Sequence, residues 1–413
     1  MQSHFSPHFF AGNRQKLRQL LPPGTVTVLT ASGTLQRSGD TTFPFSQDRN
    51  FWYMTGLDAP DILLVLDQNQ EYLILPKSDP VRDVFDGAID MEYLSTRSVI
   101  DKIYTEKEGW ARLKKQLHTK KHVATIVPGS LYSERSAMYQ NPARRRLMER
   151  LRRISNGAEF TDIRQQIAKL RAVKQSAELN AIASAVHITT ATVNELRSAQ
   201  KLGAYDTEYG LEAAITFGFR KRGAAGHAYS PIIASGKNAT TLHYVANSAP
   251  LNSSELIVVD VGAEVEHYAA DITRTLCPSV PTKRQAAVLA AVESVQEQAL
   301  EALKPGTLLK EYEQVVATAM GRSLVSLGLC SDPTDHALLR RYYPHATSHF
   351  LGLDVHDVGD YREPLVPGMV LTCEPGIYIP EEGIGVRLED DIVITKTGYE
   401  NLSADCSHSA YVL

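Results

Sequence analysis

The chain has 413 residues, enough for two domains or one large one, with an ordinary hydrophobic share of 43%. Its 43 basic and 47 acidic residues leave a net charge of −4, which gives no electrostatic footprint for nucleic acid. No run of 18 apolar residues offers a membrane span, and the four scattered cysteines (Cys277, Cys330, Cys373, Cys406) lack CxxC spacing, which points to reduced thiols in the cytoplasm and not to a disulfide framework or cysteine zinc site.

The N-terminus, "MQSHFSPHFFAGNRQKL", lacks the charged start and apolar core of a signal peptide. "TVTVLTA", "DILLVLD" and "EYLILP" read as buried strands, and segments 108–121 and 136–153 as helices. The basic run "ARRRLMERLRR" (Ala143 to Arg153) reads as a solvated helix face. The pattern breaks at "SNGAEFT" (Ser155 to Thr161), which places a domain boundary near 160 and predicts domains 1–160 and 161–413.

The second part has a rhythm. A helix pair (176–199 and 206–221) precedes one strand pair, and a second helix pair (282–303 and 309–328) precedes another. This weak internal repeat predicts an α+β fold with antiparallel strands curved around a site and helices outside, preceded by a smaller mixed α/β domain.

The first strand pair is "LIVVDVGAEVEHYAADITRTL" (Leu256 to Leu276). Side chains alternate along a strand, so Asp260 shares a face with Leu256 and Val258, and Asp271 with Ala269 and Thr273. If Asp260 stands opposite Asp271, Ala263 pairs with Tyr268 and the loop is Glu264 to His267. Opposed carboxylates about 5 Å apart repel, and burying one unpaired costs several kcal/mol. Arg274 points to the other face, so a metal cation is the natural counter-charge; the alternative is a solvent-facing hairpin with scattered acids. In the second pair, Glu374 of "LTCEPGIY" opposes Glu389 of "VRLEDDIVI" if the turn centres on Glu381 and Glu382. Alternation alone does not decide which of Glu389, Asp390 and Asp391 faces inward. Between the hairpins, "PHATSHFLGLDVHDVG" holds His345, His349 and His356 in a segment with an irregular-backbone pattern. Four carboxylates and an imidazole suit two divalent cations, and the residues alone read as a dinuclear metallohydrolase acting on peptides, amides or phosphate esters.

The order Asp260, Asp271, His349, Glu374, Glu389, within "VVDVGAEVEHYAADITRT", "SHFLGLDVHD", "TCEPGIY" and "VRLEDDIVIT", resembles the pita-bread metallopeptidases over roughly 165–400. "RSGDTTFPFSQDRNFWYMTGLDAPDILLVL" (Arg37 to Leu66) is similar to the N-terminal domain of aminopeptidase P, which favours the Xaa-Pro aminopeptidase and prolidase branch over methionine aminopeptidases. The resemblance implies a pita-bread catalytic domain holding two divalent ions, Mn²⁺ foremost with Co²⁺ or Zn²⁺ as substitutes. In it Asp260 chelates one metal, His349 with Glu374 the other, and Asp271 and Glu389 bridge both. A bridging hydroxide attacks the scissile carbonyl with Glu374 as general base. His243 in "TLHYV" and His356 match histidines that bond substrate and the tetrahedral intermediate. His345, with Tyr378 and the segment around Phe350, is placed near the proline ring, and Arg387 matches an arginine bracing the bridging ligands. The implied substrates are peptides with proline second, and the implied assembly is a homodimer or homotetramer.

Two departures stand out. "RDVFDGAIDMEY" (Arg82 to Tyr93) has Phe85 near a tryptophan position and lacks the family's arginine pair, and the C-terminal "ENLSADCSHSAYVL" ends early by comparison. The competing readings are a prolidase restricted to Xaa-Pro dipeptides and a non-catalytic peptide-binding homologue; the latter, like a metal-free creatine amidinohydrolase, fits poorly with five retained ligands.

Overall fold

The unbroken run Val26–Thr30 forms a strand buried along its whole length, as its β-branched and apolar content requires. It pairs antiparallel with Leu63–Leu66 and parallel with His122–Thr125 in a six-stranded sheet. The remaining strands of that sheet are Glu71–Ile74, Ile103–Tyr104 and Glu159–Asp162. The computed structural model describes residues 3–77, 79–120, 122–129, 136–155 and 157–412. Val28, Val65, Tyr72, Leu113 and Leu151 belong to this unit's core, with the helices Glu106–Thr119 and Ala143–Ile154 supplying the last two.

The first of these helices starts at a capping box between Thr105 and Glu108; Lys121, at the end of the expected span, lies outside the described residues. The second begins at Ala143 and not at 136, because Pro142 stands at its N-cap and Ala137 is left-handed at φ 52°. The chain divides into a unit Phe5–Leu170 and a unit from Arg171 onward that also takes in His4. The division falls later than 160 because Glu159–Asp162, in the segment read as a break, extends the first unit's sheet beside His122–Thr125; Asn156 in that segment lies outside the described residues.

The second unit has the repeated plan. Helices Ser176–Leu196 and Glu208–Lys221 precede the sheet Ile232–Ser235, Ile257–Val261 and Ile272–Leu276; helices Lys283–Ala302 and Leu309–Ser326 precede Val370–Cys373, Asp390–Ile394 and Tyr399–Asn401. This is an α+β pita-bread arrangement. No helix among the described residues is long and apolar enough to cross a membrane.

The first hairpin departs from the expected register. Asp260 faces Thr273, not Asp271, and Val265 pairs with Tyr268. The connection is a two-residue turn at Glu266 and His267, both with positive φ (46° and 71°), the primed turn whose twist suits a hairpin. A shift of two residues preserves side-chain parity, so both aspartates keep the same face. Both strands are fully buried, which removes the solvent-facing alternative. At Gly262 a Cβ would stand 1.7 Å from the Ala270 carbonyl oxygen, so the strands cross there only because the residue has no side chain. The second hairpin has the expected register: Cys373 pairs with Asp390 and Gly376 with Arg387, which sets Glu374 across from Glu389 with Glu381 and Glu382 at the turn.

Candidate metal centre

The four carboxylates stand where strands end and the chain passes between sheets. Asp260 is near the end of Ile257–Val261, Asp271 just precedes Ile272–Leu276, Glu374 follows Val370–Cys373, and Glu389 links Ile384–Arg387 to Asp390–Ile394. His349 comes from the irregular segment after the helix His336–Tyr342. All five line one cavity of about 350 Å³, together with His243, His345, His356 and Arg387.

Donor atoms of Asp271, His349 and Glu389 lie within 4.8 Å of one another. His349 Nε2 is 3.4 Å from both Asp271 and Glu374, and its Nδ1 is 3.0 Å from the Phe350 carbonyl. A proton on Nδ1 donated to that carbonyl leaves Nε2 free as a ligand. Thr273 donates to Glu389 at 2.6 Å. Arg387 donates to Asp260 at 2.5 Å, to Tyr378 at 2.9 Å and to Thr273 at 3.1 Å. The Tyr378 hydroxyl in turn meets His345 Nε2 at 2.9 Å. The ring of His356 stands edge-on to His349 at 4.3 Å, and His243 and His356 are exposed at the mouth.

The electrostatics are unbalanced. Burial, helped by Asp271 and Asp260, pushes Glu374 up to about 7. Burial and the same two aspartates with Glu374 push Glu389 well above the carboxylate range, and burial raises Asp260 despite Arg387. Burial would lower His349, but Asp271 and Glu374 raise it to about 9. Four carboxylates thus share one guanidinium and one imidazole, a shortfall of positive charge that divalent cations would fill. The donors are oxygen-rich with one imidazole, which fits borderline and hard divalent ions.

Residues 180–396 match the model of metallopeptidase family M24, and residues 10–126 match the aminopeptidase P N-terminal domain. The chain belongs to metallopeptidase family M24. The Xaa-Pro aminopeptidase of Escherichia coli K12 is 32% identical to this M24 protein over 97% of the chain and 96% of that protein. Among solved structures, aminopeptidase P from E. coli in a low-pH form superposes with a TM-score of 0.87 at 31% identity, covering 98% of this chain and 97% of that one. Proline aminopeptidase P II from Yersinia pestis gives 0.85 at 30%, covering 98% of each. Membership of M24, with full-length kinship to an Xaa-Pro aminopeptidase, makes the chain a hydrolase of the metal-dependent aminopeptidase kind.

Each residue singled out by the M24 motifs lines the cavity or, like Tyr378, contacts a residue that does. Of the segment around Phe350, His349, Val355 and His356 line the cavity, while the Phe350 ring itself is fully buried, edge-on to Tyr361 at 5.1 Å. The Phe350 ring packs inward from the same segment that turns His349 outward. Sequence reasoning missed Tyr229, whose hydroxyl lies 2.6 Å from both Asp260 and Asp271. It precedes the strand Ile232–Ser235, and only the pairing of Ile232 with Asp260, invisible in one sequence, would have brought it to the site.

Proposed function

We propose that this M24 protein is a dinuclear aminopeptidase that hydrolyses the Xaa-Pro bond at the N-terminus of peptides. The observation that carries this is the convergence of Asp260, Asp271, His349, Glu374 and Glu389 on one cavity with too little positive charge of its own. Asp260 would hold one cation, His349 and Glu374 the other, and Asp271 and Glu389 would serve both, with Mn²⁺ favoured and Co²⁺ or Zn²⁺ able to substitute. Such ions supply Lewis-acid polarisation of the scissile carbonyl and a more acidic water. Glu374 accepts the proton of the attacking water and passes it to the prolyl nitrogen as the C–N bond breaks. His356 and His243 bond the carbonyl oxygen and substrate at the mouth. An Xaa-Pro bond has no N–H, so the site must receive the ring by shape, for which His345, held by Tyr378, is the wall.

Arg387 supports an aminopeptidase over a dipeptidase. Among the described residues it is the only arginine or lysine lining the cavity, and Nε, Nη1 and Nη2 are each already engaged. A dipeptide would bring its carboxylate beside the proline without a spare cation to receive it. With Mn²⁺ added, an Xaa-Pro-Ala tripeptide is expected to be cut about tenfold better than the matched Xaa-Pro dipeptide, and better than Xaa-Ala-Ala by a similar factor. A preference for the dipeptide would establish a prolidase, and equal cleavage of the alanine peptide would remove proline specificity. A homodimer or homotetramer is part of the same proposal: Val81, Val84 and Phe85 expose apolar surface on one short helix, and light scattering tests the state.

A further inference from the structure

We propose that the cavity selects peptides whose first residue has an apolar side chain, through an aliphatic rim formed by Leu242, Val245 and Val355 above Ile232. This rests on the Xaa-Pro aminopeptidase reading and adds the nature of Xaa. Setting aside the donor carboxylates, the histidines, Arg387, Tyr229 and Ser230, these four aliphatics are what remains of the lining.

Their placement follows from the histidines. Leu242 and Val245 flank His243 in sequence, and Val355 immediately precedes His356. Ile232 pairs with Asp260 across neighbouring strands and is 4% exposed, so it forms a floor on the face that carries the aspartate. Val245 is 55% exposed at the mouth. One exposed valine needs no explanation; four aliphatics around one catalytic cavity do.

The backbone of a bound substrate accounts for the polar lining. Its amino group and scissile carbonyl must lie among the carboxylates and histidines, where the chemistry is. The side chain of the first residue then meets the aliphatic remainder. An acidic first residue would lose hydration against the rim with no unengaged arginine or lysine among the described lining residues to receive it, and a basic one would lose hydration there without a free carboxylate outside the metal-binding set. A glycine would leave the rim unfilled. The expected order is therefore leucine above alanine, and both above aspartate and lysine.

The test measures kcat/KM of the Mn²⁺-loaded protein on Xaa-Pro-Ala with Xaa as Leu, Ala, Asp or Lys. Hydrophobic pockets discriminate by roughly 10–200-fold, so Leu is expected to exceed Asp and Lys by about tenfold or more. Val245→Lys is expected to narrow the Leu-to-Asp ratio about tenfold without lowering the thermal midpoint, since the position is largely exposed. If no Xaa-Pro peptide is cut, the underlying reading fails. If all four are cut equally, or if discrimination follows the third residue in a Leu-Pro-Yaa series instead, the reading stands and the rim assignment is overturned. A Leu preference that Val245→Lys leaves untouched also overturns it.

Discussion

Asp357 is buried between Arg171 and Lys174, the latter 3.0 Å from its Oδ2. Burial pushes its carboxyl up, but the two cations outweigh that and hold it below the ordinary range. Elsewhere in the same unit, Asp260, Asp271, Glu374 and Glu389 are buried with Arg387 alone among the described arginines and lysines of the cavity, and three of the four are pushed upward. The chain therefore contains a worked example of how it neutralises an acid when it intends only to anchor a loop. Where it withholds the cation, the shortfall marks a place for something from solution. Burial of acids by itself identifies neither region; the missing counter-charge does.

The contrast is broken most severely at Asp271. Asp271→Asn removes the donor proposed to serve both cations while keeping size, and turnover is expected to fall by about 10⁴-fold or more, over 5 kcal/mol at 1.36 kcal/mol per decade. Elemental analysis should show fewer bound ions per chain; full occupancy with normal turnover would show that Asp271 is no donor.

The opposite change is Arg171→Met. It leaves Asp357 short of a partner in a buried place, and breaking such a pair costs about 3–5 kcal/mol. Urea unfolding should reveal the loss, while the folded fraction keeps its full complement of metal. Loss of metal with unchanged stability would reverse the roles assigned to the two regions.

The smallest effect is a pH slope. Asp357 has a folded pKa below its unfolded value of about 3.9. The charged form is thus favoured by folding, and its contribution is complete above about pH 4 and drains away as pH falls through the lower folded value. Arg171→Met should flatten this part of the acid-unfolding curve, and an identical slope in both proteins would remove Asp357 from the account.

The centre was more legible in sequence than its surroundings, for physical reasons. Asp260, Asp271, Glu374 and Glu389 are visible because an acid within an apolar run contradicts its context. The second hairpin's register was readable because "IPEEGIG" carries turn chemistry, whereas Glu266-His267 has neither the glycine nor the asparagine that usually announces a primed turn. The boundary near 160 missed an edge strand of only four residues, Glu159–Asp162. The Arg171–Asp357 pair joins residues 186 positions apart, and Tyr229 reaches Asp260 across 31; no local pattern announces either. The inward turn of the Phe350 ring is not legible either, because a segment that carries a histidine outward does not say which neighbours it turns inward.

Gly262 carries a consequence for reading natural variation in this chain. The clearance that a single added carbon would violate there lies between the two strands bearing Asp260 and Asp271. A missense change at this position would leave every donor in place by name and still force the aspartates apart. Its carrier would look intact in any inventory of catalytic residues, and the defect would belong to the hinge of the fold and not to its chemistry.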